Sequence, residues 1–315
     1  MSKSLVFIDD FSKEEICEIF KLADEIADDV SHVKALEGKT VVLFFPESSI
    51  RTRVTYEKGI QELGGKTILF PPSALDKKEN IEDVIGYLEN WVDAVVVRHS
   101  DIEVVKSMAK YASIPIINAM TSENHPCEII ADLYALSKLY KDIEKKKFLF
   151  VGAKGNIGNS WKAASELLGF ELEQCCPVGY ELENIKFHTN IEEAISGKDI
   201  ICTDAIPDEA KKDFIEYQIT LQHMKKANRG AILNPCPPFF RGEEVSEDVI
   251  DSEYFVGYGF KKCLINVQQG ILCYLLDKIW YNERRRKTSG CEADIAFAEN
   301  VVTHGEYRKK GYIAT

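Results

Sequence analysis

Nowhere does this 315-residue chain offer the roughly 18 consecutive uncharged apolar residues that a membrane-spanning helix requires. No membrane partner is expected. Its opening, MSKSLVFIDDFSKEE, lacks an apolar core after the lysine, so a secretory signal is not expected either. The nine cysteines are irregularly spaced, Cys175 and Cys176 adjacent, with no paired CxxC. That excludes a disulfide scaffold and suggests reduced thiols in the cytoplasm. Six scattered histidines form no HExxH, so neither a metal nor any other cofactor is implied. Positive charge is short, with 39 Lys and Arg against 51 Asp and Glu and a formal net charge of −12. A nucleic-acid surface needs a basic face, so no nucleic-acid partner is expected. Any anion this protein holds must meet a local basic cluster.

What is present has the balance of an ordinary folded protein, 45% hydrophobic and 29% charged. At about 150 residues per domain, the length predicts two domains, each able to bury a core. Residues 10–29 place Ile16, Ile19, Phe20, Leu22, Ala23 and Ile26 at helical spacing behind the capping-box pair Ser12 and Glu15. Then an apolar run, a polar loop and an amphipathic stretch recur: TVVLFF before VTYEKGIQELGG, KTILF before IEDVIGYLENW, DAVVVR before IEVVKSMAKYA, IPIINA before PCEIIADLYALSKLY. Such alternation predicts α/β architecture: two doubly wound parallel-sheet domains with a C-terminal helix returning to the first. The lysine-rich break at 141–147 separates a first domain, 1–143, from a second, 144–269, and the helix over about 270–300 rejoins the first. Strands are expected at 148–151, 171–176, 199–205, 231–235 and 254–259. The basic run Arg284–Lys287 reads as a solvated face.

Most informative is Glu47-Ser48-Ser49-Ile50-Arg51-Thr52-Arg53, between an expected strand and an expected helix. Ligands of open α/β sheets sit at the carboxyl ends of strands, where a helix N-terminus presents unpaired N–H groups and partial positive charge. The Ser49 and Thr52 hydroxyls add neutral donors, and Arg51 adds a fork matched to phosphate oxygens. A phosphate-bearing ligand is expected, although a helix cap with two surface arginines has the same spacing.

The SerXArgThrArg loop resembles the carbamoyl-phosphate loop of the aspartate and ornithine carbamoyltransferases, and further segments follow in that family's order over residues 1–280. Arg98 resembles the arginine that holds the carbonyl and phosphate oxygens of carbamoyl phosphate. His125-Pro126-Cys127-Glu128 resembles HisProXGln, whose histidine donates to the carbamoyl oxygen. The loop from Gly152 through Asn156 to Ser160, and Thr203-Asp204, resemble the ornithine branch's sites for the second substrate's carboxylate and amino group. Pro235-Cys236-Pro237-Pro238 with Arg241-Gly242-Glu243-Glu244-Val245 resembles HisCysLeuPro and its continuation. Ser73 and Lys77 stand where the aspartate branch contributes a serine and a lysine to a neighbouring subunit.

The resemblance implies transfer of a carbamoyl group from carbamoyl phosphate to the amino group of an amino acid or diamine. Phosphate leaves, and no cofactor takes part. Arg51, Arg98 and His125 would be catalytic, with Ser49, Ile50, Thr52, Glu128, Ser73 and Lys77 completing the carbamoyl-phosphate site. The second substrate would meet Asn156, Asp204, Asp208, Glu209, Cys236 and Pro237. A cytoplasmic homotrimer with shared active sites is implied as well.

Three departures stand out. Glu128 replaces glutamine and brings negative charge toward a dianion, which favours its protonated form. Ala205-Ile206-Pro207-Asp208-Glu209 replaces the ornithine branch's SerMetGly region, and Pro235 replaces histidine. Together they imply an acceptor other than standard ornithine or aspartate. Two other functions fit parts of the sequence. One is a non-catalytic ligand-binding member of the fold. The other is an NAD(P)-dependent oxidoreductase, suggested by Gly152, Gly155 and Gly158, although the next strand ends in Cys175-Cys176 rather than an acidic residue.

Overall fold

A computed structural model describes residues 2–30 and 33–276. The basic run at 284–287 and the returning helix beyond Leu276 therefore lie outside the described residues. The chain forms two compact units: Met1–Ala135 joined by the segment that starts at Cys263, and Leu136–Lys262.

In the first unit, α1 (Lys13–Asp29) opens on the expected capping box, with Ser12 Oγ accepting from Glu15 N–H and the Glu15 carboxylate accepting from Ser12 N–H. The unit continues through β1 (Thr40–Phe44), α2 (Ile50–Glu62), β2 (Lys66–Phe70), α3 (Ile81–Leu88), β3 (Ala94–Arg98), α4 (Ile102–Tyr111), β4 (Ile116–Met120) and α5 (Pro126–Leu139). The four strands are parallel in the order β2-β1-β3-β4. β1 and β3 are buried along nearly their whole length, as parallel strands covered on both faces must be.

The second unit carries β5 (Lys147–Val151), α6 (Asn156–Leu168), β6 (Glu171–Cys175), β7 (Phe187–His188), α7 (Ile191–Ile195), β8 (Ile200–Thr203), α8 (Leu221–Met224), β9 (Ile232–Pro235) and α9 (Glu247–Ile250). Its five parallel strands run β7-β6-β5-β8-β9. Trp161, Phe148 and Phe170 pack together between α6 and the sheet, with Phe148 and Phe170 ring centroids 4.2 Å apart.

The chain then returns through α10 (Leu264–Leu276), which lies against α1 and α2. Gly270 makes that approach possible: a Cβ there would stand 2.9 Å from the Ile19 carbonyl oxygen. The helix begins earlier than the glycine-led run at 270 suggests, because Leu264 and Val267 already belong to its buried stripe.

One expected strand is corrected. At 254–259 only Phe255 pairs, as an isolated bridge to Leu233. Gly257, at φ +79°, turns the chain out of the extended region, and a 3-10 helix runs from Tyr258 to Cys263. Conversely, the two-residue strand β7 is too short to leave a periodic signal.

β7 is held by charge. Glu173, in mid β6, bonds Lys186 at 2.7 Å and His188 at 2.6 Å, and also pairs with the buried Lys198. Burial alone would raise the Glu173 carboxyl, but the bonds from Lys186, Lys198 and His188 outweigh it and lower it from 4.5 to about 2. A carboxyl depressed on folding contributes stability above its unfolded midpoint and loses it as pH falls through the folded one. Glu173→Gln is therefore expected to destabilise the protein by about 3 kcal/mol at pH 7, the magnitude implied by such a shift. In urea unfolding the gap should close between pH 4.5 and pH 2. A gap that does not vary with pH would refute this account.

Candidate active site

In an open α/β sheet the ligand crevice forms at the carboxyl ends of the strands, where successive connections leave to opposite sides. In the first sheet that place lies between β1 and β3. The loop after β1 carries Ser49, Ile50, Arg51 and Thr52, and Arg98 ends β3. The structure joins them: Arg98 Nη1 donates to Ser49 Oγ at 3.1 Å.

Ser49 occupies the N-cap position of α2, yet its hydroxyl makes no cap bond to the helix. Engaged by Arg98 instead, it leaves the first amides of α2 without a side-chain cap, a ready anion-binding end. Thr52 is buried, whereas Ile50 and Arg51 are exposed. The two arginines of the loop differ. Arg53 is taken by Glu57, Nε to Oε1 at 2.6 Å, while Arg51 has no carboxylate partner among the described residues.

His125 comes from the next connection, after β4. It is 6% exposed, and its carbonyl accepts from Ile129 N–H, which places it at the N-cap of α5 with Pro126 in the first helical position. A network that sequence reasoning missed fixes this loop. Asn118 Nδ2 donates to Asn124 Oδ1 at 2.6 Å and to the Val6 carbonyl at 2.9 Å, and Thr121 Oγ1 donates to Asn124 Oδ1 at 2.9 Å. The available signal was Asn118 itself, an amide inside an otherwise apolar strand. Cys127 ties α5 to α2 through Tyr56 Oη at 3.1 Å. Burial, the largest influence, pushes the Cys127 thiol up to about 12, so it is a packed, protonated group rather than a nucleophile.

Glu128, the residue in glutamine's place, is 5% exposed in the first turn of α5. The positive end of the helix dipole accommodates a carboxylate there. Ser73 and Lys77 are exposed on the segment that follows the edge strand β2. His99 fixes that segment, its Nε2 lying 3.0 Å from Asp76 Oδ1.

In the second sheet the reversal falls between β5 and β8. The loop after β5 leads into α6 at Asn156, and Asp204 follows β8 directly. Both of these acceptor candidates therefore flank the second unit's own switch point. Asp204 Oδ1 accepts Ala205 N–H at 2.9 Å, and Cys236, buried at the end of β9, donates its N–H to the Thr203 carbonyl at 2.8 Å. Pro237 follows, half-buried. Asp208 and Glu209 are exposed on a 3-10 turn, and Lys211 pairs with Asp208 at 2.8 Å and Glu243 at 3.1 Å. Asp208 thus carries a counter-ion from its own turn.

The glycines of the loop have a packing role. A Cβ at Gly158 would stand 2.8 Å from Phe150 Cε1, and one at Gly152 would stand 3.0 Å from Phe150 Cζ. After β6 no carboxylate awaits a ribose: Gln174 Nε2 donates to the Gly152 and Tyr180 carbonyls, and Cys175 and Cys176 are buried. The dinucleotide alternative loses its main support. Among the described residues, no helix is long and apolar enough to cross a membrane, and no group of three or more His, Cys, Asp or Glu side chains is placed to hold a metal.

Comparison with known proteins matches both units. Residues 3–138 fit the family model described as aspartate/ornithine carbamoyltransferase, carbamoyl-P binding domain. Residues 144–275 fit the Asp/Orn binding domain of the same family. An ornithine carbamoyltransferase of Desulfotalea psychrophila is 33% identical over 298 residues, covering 86% of this chain and 98% of its own. One from Methanobrevibacter smithii is 31% identical, covering 84% and 96%. The crystallised ornithine carbamoyltransferase of Pyrococcus furiosus superposes with a TM-score of 0.84 at 28% identity, over 88% of this chain and 98% of that one. With both family domains matched in order along the chain, this chain belongs to the aspartate/ornithine carbamoyltransferase family.

Proposed function

We propose that the chain transfers the carbamoyl group of carbamoyl phosphate to the amino group of an amino acid or diamine, with the donor held by the first unit and the acceptor by the second. The observation that carries this reading is the Arg98–Ser49 bond at the start of the helix whose first turn carries Arg51, an arginine with no carboxylate partner among the described residues. Arg98 engages the N-cap serine, and the exposed Arg51 in the first turn adds a second positive charge to a helix end without a side-chain cap, a combination suited to a dianion. Arg98, His125 and Thr52 stabilise the oxyanion that forms as the amine attacks the carbonyl carbon, and Arg51 with the α2 N-terminus stabilises the departing phosphate. Asp204 receives the acceptor's amino group, and Asn156 and the Cys236-Pro237 segment line its carboxylate end.

Asp208 and Glu209 form one of the three departures that argue for an unusual acceptor. With Asp208 neutralised by Lys211 and both residues exposed, that argument weakens, and ornithine heads the panel because the relatives bear that name. Colorimetric detection of ureido products, with carbamoyl phosphate and a panel of amino acids and diamines, tests the reading. Product with ornithine or another amine supports it; carbamoyl-phosphate binding without product across the whole panel would leave the non-catalytic alternative.

A homotrimer with shared sites is part of the same proposal. On β2 the side chains of Ile68, Leu69 and Phe70 are 44, 37 and 39% exposed, and Ile50 and Val54 of α2 reach 62 and 59%. An uncovered apolar edge strand is an aggregation hazard. Further copies of this chain would cover it and bring Ser73 and Lys77 to a neighbour's donor site. Sedimentation should give three times the 35.6 kDa chain mass; a monomer at micromolar concentration would contradict the assembly.

A further inference from the structure

One buried carboxyl at the carboxyl ends of β8 and β9 has no part in the reaction so far described. Glu244 lies on the loop that leaves β9 through Cys236, and it is 2% exposed. Its Oε1 accepts the Phe240 backbone N–H at 2.6 Å, closing the turn between them. Its carbonyl accepts from Ile219 N–H at 2.9 Å, so the loop is tied to the segment before α8. The second carboxyl oxygen, Oε2, is buried and has no hydrogen-bond partner among the described residues.

Among the described residues, the charged groups that act on it are both acidic, Glu243 alongside and Asp204 from the end of β8. The nearby lysine, Lys211, is committed to Asp208 and Glu243. A buried carboxyl with one oxygen unpartnered and only anions beside it resists ionisation. Burial, the largest influence, outweighs the hydrogen bonds from the Glu244 and Phe240 backbones and, with smaller contributions from Glu243 and Asp204, raises Glu244 to about 7.

We propose that Glu244 is a positioning residue of the acceptor subsite: it holds the 236–244 loop through Phe240 and sets the charge beside Asp204, so that an ammonium-bearing acceptor binds more tightly once Glu244 is ionised. The inference rests on Asp204 as the acceptor's contact. With Glu244 protonated, Asp204 faces the acceptor without help from this neighbour. With Glu244 ionised, a second negative charge adds its field, while the reacting carbonyl and its donors are untouched. The effect belongs to acceptor affinity rather than to turnover.

Glu244→Gln tests this, since the amide oxygen still accepts the Phe240 N–H. Between pH 6 and pH 8 the wild-type acceptor KM should fall relative to that of E244Q by about fivefold, the order expected for one extra unit charge in a partly screened site. The kcat ratio and the KM for carbamoyl phosphate should stay constant. If no amine is turned over, the transfer reaction assigned above fails, and calorimetric binding of ornithine supplies the affinity instead.

Thermal unfolding follows the carboxyl itself. A group whose folded midpoint is raised loses stability as pH climbs through it, so the wild-type Tm should drop relative to E244Q from pH 6 to pH 8. If E244Q does not fold, Asp204→Asn should shrink that same drop in the wild-type background. A constant ratio of acceptor affinities across pH, or a Tm drop indifferent to Asp204, overturns the proposal.

Discussion

Replacing Arg51 with alanine is expected to weaken carbamoyl-phosphate binding by about two to four orders of magnitude, the loss of two charge-assisted hydrogen bonds. The fold should survive. Arg51 is exposed in the first turn of α2 and has no carboxylate partner among the described residues, so its removal leaves no buried charge behind. Arg53→Ala is the matched control. Arg53 is a half-buried neighbour on the same helix, bonded to Glu57, and a pair of that kind contributes at most about 1 kcal/mol. Calorimetry on the two variants separates a ligand contact from a general loss of positive charge. Equal affinities in wild type and Arg51→Ala would remove the donor site from this loop.

The second large effect is expected at His125. Alanine there should lower kcat by about 10²–10³, the usual consequence of deleting one donor to a developing oxyanion. The KM for carbamoyl phosphate should change much less, because the proposed mechanism assigns the phosphate to the arginines. His125 is buried at the start of α5, and its loop is braced by Asn118, Thr121 and Asn124. An intact circular dichroism spectrum would show that the loop and helix persist. A kcat within threefold of wild type would exclude His125 from the oxyanion contacts.

Glu244 extends the argument to the acceptor. Its neighbour Asp204 is recognisable by position after a strand, whereas Glu244 lies on the next strand's loop and becomes relevant only through folding. Asn118 and Asn124 are similar: a pair of amides six residues apart has no meaning until β4 and its loop bring Asn118 Nδ2 to Asn124 Oδ1.

Much of the framework was legible because it is local. The α1 capping box and the strand–loop–helix rhythm depend on residues within a few positions of one another. Those patterns determined the α/β class and the two-unit organisation, and they singled out the Ser49–Arg53 loop as the candidate anion site. What they could not separate is seen in two apolar strands of the first sheet. VVV in β3 is fully buried, while ILF in β2 is between 37 and 44% exposed. Hydropathy measures the side chain, and only the strand order decides whether a neighbour covers it.

The tertiary structure alone decided which arginine of the loop is paired, because Glu57 reaches Arg53 one helical turn away, while Arg98 arrives from a different strand to hold Ser49. It likewise gave Asp208 a counter-ion and left Glu244 Oε2 without a hydrogen-bond partner among the described residues. Residue types and short-range periodicity determine which elements form and which chemistry is on offer. Long-range packing fixes which charges meet, because Coulomb and hydrogen-bond energies depend on distances that the order of residues along the chain does not specify.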